Sequence, residues 1–189
     1  VDNGSSDNCG IASITVTPSS FTCAAVGANP VTLTVTDVHG NVSTCSATVT
    51  VEDNVVPNAI CQNITVQLDA AGNVSIIASQ IDNGSNDACG IASLSVSPED
   101  FDCSDIGLNA VILTVTDNNG NVSVCNAEVT VEDNVDPTII CQNITVELDA
   151  NGQITIDAIQ IDGGSTDNCS TSGVDLTYDI TPANFDCSD

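Results

Sequence analysis

The feature that most constrains this chain is a gapless internal repeat. Residues 1–80 align with 81–160 at 50 identical positions of 80. Asp2-Asn3-Gly4-Ser5 returns as Asp82-Asn83-Gly84-Ser85, and Cys61-Gln62-Asn63-Ile64-Thr65-Val66 returns as Cys141-Gln142-Asn143-Ile144-Thr145-Val146. A third copy begins at Ile161 and runs to Asp189. Copies this similar imply one supersecondary unit used over and over. The segment is therefore expected to be a window on a longer secreted array. Period alone does not say where a domain starts. Glu52-Asp53-Asn54-Val55-Val56-Pro57 is the best linker, because its proline ends a strand-like run. One complete domain is placed at 54–133, with 1–53 the C-terminal part of one domain and 134–189 the N-terminal part of another.

Within 54–133 the hydrophobic period is two. Ile64, Val66 and Leu68 share one face; Val111, Leu113 and Val115 alternate with Ile112, Thr114 and Thr116; Ala127, Val129 and Val131 alternate with Glu128, Thr130 and Glu132. Such alternation reads as strands with one buried face. Asp69-Ala70-Ala71-Gly72-Asn73, Asp82-Asn83-Gly84 and Asp117-Asn118-Asn119-Gly120-Asn121 separate them as turns. No 3.6-residue period is present. The expectation is an all-β chain, a tandem array of antiparallel immunoglobulin-like β-sandwiches of about seven short strands each.

Charge narrows the function. The chain has 26 acidic residues and no Lys or Arg, a formal charge of −26. That excludes nucleic acid, which needs cations against phosphates, and argues against anionic lipid. No 18-residue apolar run is present, so no membrane insertion is expected. The acidity is not a disorder signature, because 41% of the residues are hydrophobic. With one Tyr, three Phe, no Trp and no Met, the core must be built of Val, Ile, Leu and Ala. Ten cysteines then read as covalent staples and an oxidising, extracellular or cell-surface setting. Zinc is disfavoured, since Cys-x-x-Cys does not occur and the single histidine, His39, is replaced by Asn119 in the next copy. An enzyme is not expected: His39 sits in a turn and nothing cationic could hold an oxyanion or a phosphate.

The pattern Pro57, Cys61, Asp117, Gly120, Asn121, Cys125, Val129, Val131 resembles the hyalin repeat, a family of immunoglobulin-like extracellular modules. Pro137 and Cys141, and Asp37, Gly40, Asn41 and Cys45, repeat it. The near-identity of the copies resembles tandem arrays of bacterial surface proteins more than animal hyalin. The missing core aromatics and a second cysteine pair per copy depart from the family. The resemblance implies adhesion or scaffolding. Four cysteines per copy allow three pairings; the resemblance favours Cys61–Cys125, which leaves Cys89–Cys103, Cys9–Cys23 and Cys169–Cys187. Cys45 and Cys141 would find partners outside the segment.

Six acids of the first copy recur in the second: Asp2, Asp7, Asp37, Glu52, Asp53 and Asp69 return as Asp82, Asp87, Asp117, Glu132, Asp133 and Asp149. In a seven-strand sandwich the loops carrying Asp82, Asp87 and Asp117 lie at the end where the chain enters, beside Glu52, Asp53 and Asn54. Five uncompensated carboxylates would repel unless a cation binds. Carboxylate and amide oxygens suit Ca²⁺. A calcium site is expected there, a second at Glu132, Asp133, Asn134, Asp162 and Asp167, and a third using Asp2, Asp7 and Asp37. The alternative is that Asp and Asn only make turns, the role expected of Asp69 and Asp149. Asn63 and Asn143 are the best-placed N-glycosylation sites, and outward Thr32, Thr34 and Thr36 could carry O-linked sugar. The functional expectation is a calcium-stiffened, disulfide-stapled fibre or surface stalk, its partners being other copies or adjacent repeats and glycans. The alternative is an array of adhesin modules for glycan or protein; such modules should show aromatic or Arg hot spots. Phe21, Phe101 and Phe185 occupy one equivalent position and read as core.

Overall fold

A computed structural model describes residues 1–170 and 176–186. The described chain is all-β, with two single-turn helices. It divides into two compact units. One comprises 1–60, 84–94 and 114–124; the other comprises 61–83, 95–113 and 125–189.

The first sheet is β1 (Ile11–Thr17), β2 (Gly27–Asp37) and β3 (Val42–Val51), antiparallel in the order β1-β2-β3. The β2–β3 hairpin turns at Asp37–Asn41, where the Asp37 carboxylate accepts the N–H groups of His39 and Asn41, both at 2.8 Å. Val31 and Leu33 of β2 are its buried residues.

Next come β4 (Ile64–Gln67), β5 (Asn73–Ser75), α1 (Ala78–Ile81), β6 (Ile91–Ser97), β7 (Asp100–Asp102), β8 (Gly107–Asp117) and β9 (Val122–Glu132). The order β4-β9-β8-β6 makes a four-stranded sheet, and β5 pairs with β7. Strand β4 runs parallel to β9, with Ile64 opposite Val129 and Val66 opposite Val131. An all-antiparallel arrangement is thus corrected at this one pair. The long stretch of chain between the two strands is ample for the crossover that parallel pairing requires. The expected alternation is realised: Val111, Leu113, Val115, Ala127, Val129 and Val131 are buried, as are Leu68, Ile76, Ile81, Val96 and Phe101. Helix α1 is one turn, too short to leave a 3.6-residue period, and is held by the Gln80 side chain accepting the Ile77 N–H at 2.8 Å.

Residues 134–186 supply β10 (Gln153–Thr155), α2 (Ala158–Ile161) and β11 (Asn184–Asp186), with β10 paired to β11. Elements recur from one copy to the next: β1 with β6, β2 with β8, β3 with β9, β5 with β10, α1 with α2. The counterpart of β4, residues 144–147, is not a strand.

Candidate functional site: the cystine-stapled linkers

With copies divided at 54 and 134, two of the three cystines join one sequence copy to the next, and the third lies between them in sequence register. Cys23 is bonded to Cys89 and Cys103 to Cys169, each at a sequence separation of 66. Cys61 is bonded to Cys125 at a separation of 64, tying the approach to β4 to the adjacent strand β9. The expected pairs Cys89–Cys103, Cys9–Cys23 and Cys169–Cys187 are therefore corrected: Cys89, Cys103, Cys23 and Cys169 all have other partners, and Cys9 is a free, exposed thiol. Cys187 lies outside the described residues. Cys45 and Cys141 are also free and exposed. The physical reason is local. Cys103 opens a 3-10 turn (Cys103–Asp105) at the end of β7, while Cys89 lies on the other side of β6, in the loop before it. Each closed loop of about 65 residues contributes about 4 kcal/mol by restricting the unfolded chain.

Turn chemistry presents these cysteines. The Asp87 carboxylate accepts the Cys89 N–H at 2.7 Å. Asp7 does the same for Cys9 at 2.7 Å and Asp167 for Cys169 at 3.2 Å. The Asn118 side chain donates to the Cys89 carbonyl at 2.8 Å, and Gly90, at φ +95°, lies so close that a Cβ there would sit 2.7 Å from the Asn118 amide nitrogen. At the second linker Gly72, at φ +77°, packs on the staple: a Cβ would meet the Cys103 Sγ at 2.6 Å.

The recurrent acids divide in two. Asp117 is buried and commits both oxygens to its own hairpin, one accepting the N–H groups of Asn119 and Asn121 and the other the Asn121 side chain, each at 2.8 Å. Burial raises its pKa, but donation from the Asn121 amide and the hairpin N–H groups outweighs this and holds it below the ordinary 3.8. Asp37 makes the same turn, its pKa lowered first by the Asn41 side chain. Asp2 and Asp162 accept from Ser5 and Ser165, whose hydroxyls lower their pKa values. Glu52 and Glu132 are exposed and accept from the side chains of Asn54 and Gln67. Asn134 also bonds Gln67. Asp82 bridges to Cys61 in β fashion. Asp69 and Asp149 close turns through their carboxylates.

Among the described residues, one group of potential metal donors lies within 4.8 Å: Asp53, Asp87 and Cys89. The Cys89 sulfur is committed to Cys23, so two carboxylates remain. Glu52, Asp82 and Asp117 are not in that group; Glu52 accepts from the Asn54 side chain and Asp117 closes its own hairpin. One oxygen of Asp53 accepts the Val55 N–H at 3.1 Å, whereas the other is buried without a partner. At the second linker Asp133 accepts from Val135 and Asn168, both at 3.1 Å, and one oxygen each of Asp167 and Asn168 is buried and unpartnered. The hairpin reaches the first linker through Asn121, whose amide donates to the Asp53 carbonyl at 3.1 Å. Asn63 accepts the Glu128 N–H at 2.9 Å, pinning β4 to β9; Asn143 is exposed.

Compared with models of known protein families and with curated proteins, the chain matches none.

Proposed function

We propose that the chain is a structural segment of an extracellular fibre or surface stalk, built of hyalin-like, immunoglobulin-like repeats that are covalently joined twice at every junction. The observation that carries this reading is the pairing of Cys23 with Cys89 and of Cys103 with Cys169, each spanning a linker the backbone already crosses. Cys61–Cys125 closes a loop within the single copy 54–133. A second staple across each junction serves continuity from one module to the next. The absence of Lys and Arg and the scarcity of aromatics fit a spacer better than a hot-spot surface.

The same junctions are proposed to take Ca²⁺. Support comes from the unpartnered buried oxygens of Asp53, Asp167 and Asn168, hard donors in a chain with no Lys or Arg. At the first junction Asp53 and Asp87 would hold it; at the second, Asp133, Asp167 and the Asn168 amide oxygen.

Immunogold labelling of intact, unpermeabilised cells with antibodies to the chain tests the structural reading. Label along filaments or over the outer surface is expected; label confined to the cell interior overturns it.

A further inference from the structure

Three stretches of chain meet at the first linker. Cys23 opens the 3-10 turn Cys23–Ala25, Asp53 lies in the linker itself, and Asp87 and Cys89 share the loop before β6. One donor atom from each of Asp53, Asp87 and Cys89 falls within 4.8 Å of the others, and Cys23 is bonded to Cys89, so a second sulfur stands beside them. Motif spacing cannot show this, because the four donors are spread over a separation of 66 residues. The carboxylates are already oriented. Asp87 accepts the Cys89 N–H at 2.7 Å and Asp53 the Val55 N–H at 3.1 Å, while the Asn121 amide fixes the Asp53 backbone carbonyl at 3.1 Å. The other Asp53 oxygen is buried with no partner, an uncompensated acceptor that a bound cation would satisfy. While the Cys23–Cys89 bond stands, both sulfurs are occupied and only hard oxygens are on offer. Cys23 is exposed and Cys89 half-buried, so a reductant reaches the pair from the Cys23 side.

We propose that reduction of Cys23–Cys89 opens a zinc site at the first linker, with Cys23, Cys89, Asp53 and Asp87 as its four ligands. Two thiolates and two carboxylates are a donor set that suits four-coordinate Zn²⁺. With Zn–S about 2.3 Å and Zn–O about 2.1 Å, neighbouring donors of a tetrahedral site stand about 3.5 Å apart. The group within 4.8 Å therefore has to close by at most about 1.3 Å. The redox step balances with a dithiol. The dithiol gives two electrons and two protons to the S–S bond and leaves as a cyclic disulfide, and two cysteine thiols result. Zinc binding then releases those two protons as the thiols become thiolates. With Zn²⁺ bound, the site carries no more negative charge than the two carboxylates do while the cystine is closed. The second linker is the contrast. Asp133, the counterpart of Asp53, accepts the amide of Asn168, which stands where the first linker has Ala88, at 3.1 Å. Among the described residues, Asp133, Asp167 and Cys169 do not come together as a donor group. A reduced first linker thus keeps a joint through zinc, and the second does not.

The inference deepens the junction reading by giving its first site a redox-dependent metal, and it rests on the Cys23–Cys89 pairing. The test uses the whole chain carrying C9S, C45S, C141S and C187S. Adding C23S leaves Cys89 as the single thiol, with Cys61–Cys125 and Cys103–Cys169 still closed and water free to take the fourth zinc position. Zn²⁺ should slow alkylation of Cys89 at least tenfold, and Co²⁺ should give a sulfur-to-metal charge-transfer band. Asp53→Asn or Asp87→Asn should restore the zinc-free rate. In the matching C103S variant, whose single thiol is Cys169, Zn²⁺ should change the rate less than twofold. In the parent chain, reduced with dithiothreitol and desalted, Zn²⁺ should protect Cys23 and Cys89 together, read in digests made with an Asp-directed protease. Unchanged Cys89 alkylation in the C23S variant, protection that survives Asp53→Asn, equal protection of Cys89 and Cys169, or an unprotected Cys23 in the reduced parent would overturn the site. A digest of the oxidised chain reports Cys23–Cys89 by itself. Absence of that pair counts against the structural reading, whereas its presence without zinc protection counts against the zinc site alone.

Discussion

Stretching one molecule between its ends reads out the cystine connectivity directly. Tension follows the shortest covalent route. That route runs from Val1 to Cys23, crosses to Cys89, runs on to Cys103, crosses to Cys169 and ends at Asp189. The two crossings span 5.2 and 5.3 Å between Cα atoms. The backbone stretches of the route hold about 56 residues, so at about 3.5 Å per residue the fully stretched, oxidised chain should stop at about 210 Å. The reduced chain, with every residue in the route, should reach about 660 Å. Pairing within each copy, Cys9–Cys23, Cys61–Cys125, Cys89–Cys103 and Cys169–Cys187, would leave about 92 residues in the route and a limit of about 340 Å. Optical-trap or atomic-force extension with handles on both termini separates these three values easily. C61S/C125S should not move the oxidised limit, because that staple is off the shortest route. C23S should raise it to about 370 Å, since tension must then pass through Cys61–Cys125. An oxidised limit at the length set by pairing within each copy, or a C23S variant no longer than the parent, would refute the linker-crossing staples.

Other outcomes follow from single sites. Gly72→Ala forces a side chain onto positive φ against the Cys103 sulfur and should cost at least about 1–2 kcal/mol in denaturant unfolding, with slower formation of Cys103–Cys169. Leu113→Ala, at a fully buried β8 position, should cost about 2–5 kcal/mol, because an aliphatic core leaves a cavity where the side chain was. Asp117 has a folded-state pKa below its unfolded value, so its contribution is present above about pH 4 and lost as pH falls through the folded value. Between about pH 5 and pH 2 the wild-type melting temperature should therefore fall more than that of Asp117→Asn. Chelation should lower the melting temperature and change the scattering maximum dimension of the chain if Ca²⁺ binds at the junctions; no change in either refutes the metal, and Asp53→Asn should reduce any response that Asp105→Asn leaves intact.

The strands were legible because a half-buried strand writes its face into alternate residues. Val111, Leu113 and Val115 carry that signal on their own, and so do Ala127, Val129 and Val131, which are buried as their spacing requires. The hairpin Asp-x-x-Gly-Asn was legible for a similar reason: its aspartate and glycine have only local work to do, and Asp117 and Asp37 do it identically. Helix α1 was not, since four residues contain barely one period.

The cystine pairing was illegible for a deeper reason. In a periodic sequence, a partner is defined only to within a whole number of repeats. Cys103 lies a short step after Cys89 and a long one before Cys169, and those two separations add to one period. Composition, spacing and loop-closure entropy cannot choose between them, because both loops are closable and Cys89 and Cys169 sit in the same local motif. Only the three-dimensional course of the chain decides, through the loop that Asp87 and Asn118 fold around Cys89 and the turn that carries Cys103. The same ambiguity reaches the function. Staples closed within each copy would give modules on a longer covalent string, whereas staples closed to the next copy shorten the limiting extension from about 340 to about 210 Å. The acids share this fate. Asp7 and Asp87 recur in turns that present cysteines, Asp37 and Asp117 in hairpins, and Asp69 and Asp149 in other turns, which leaves Asp53, Asp167 and Asn168, with their unpartnered oxygens, as the positions where a cation would add something the turns do not.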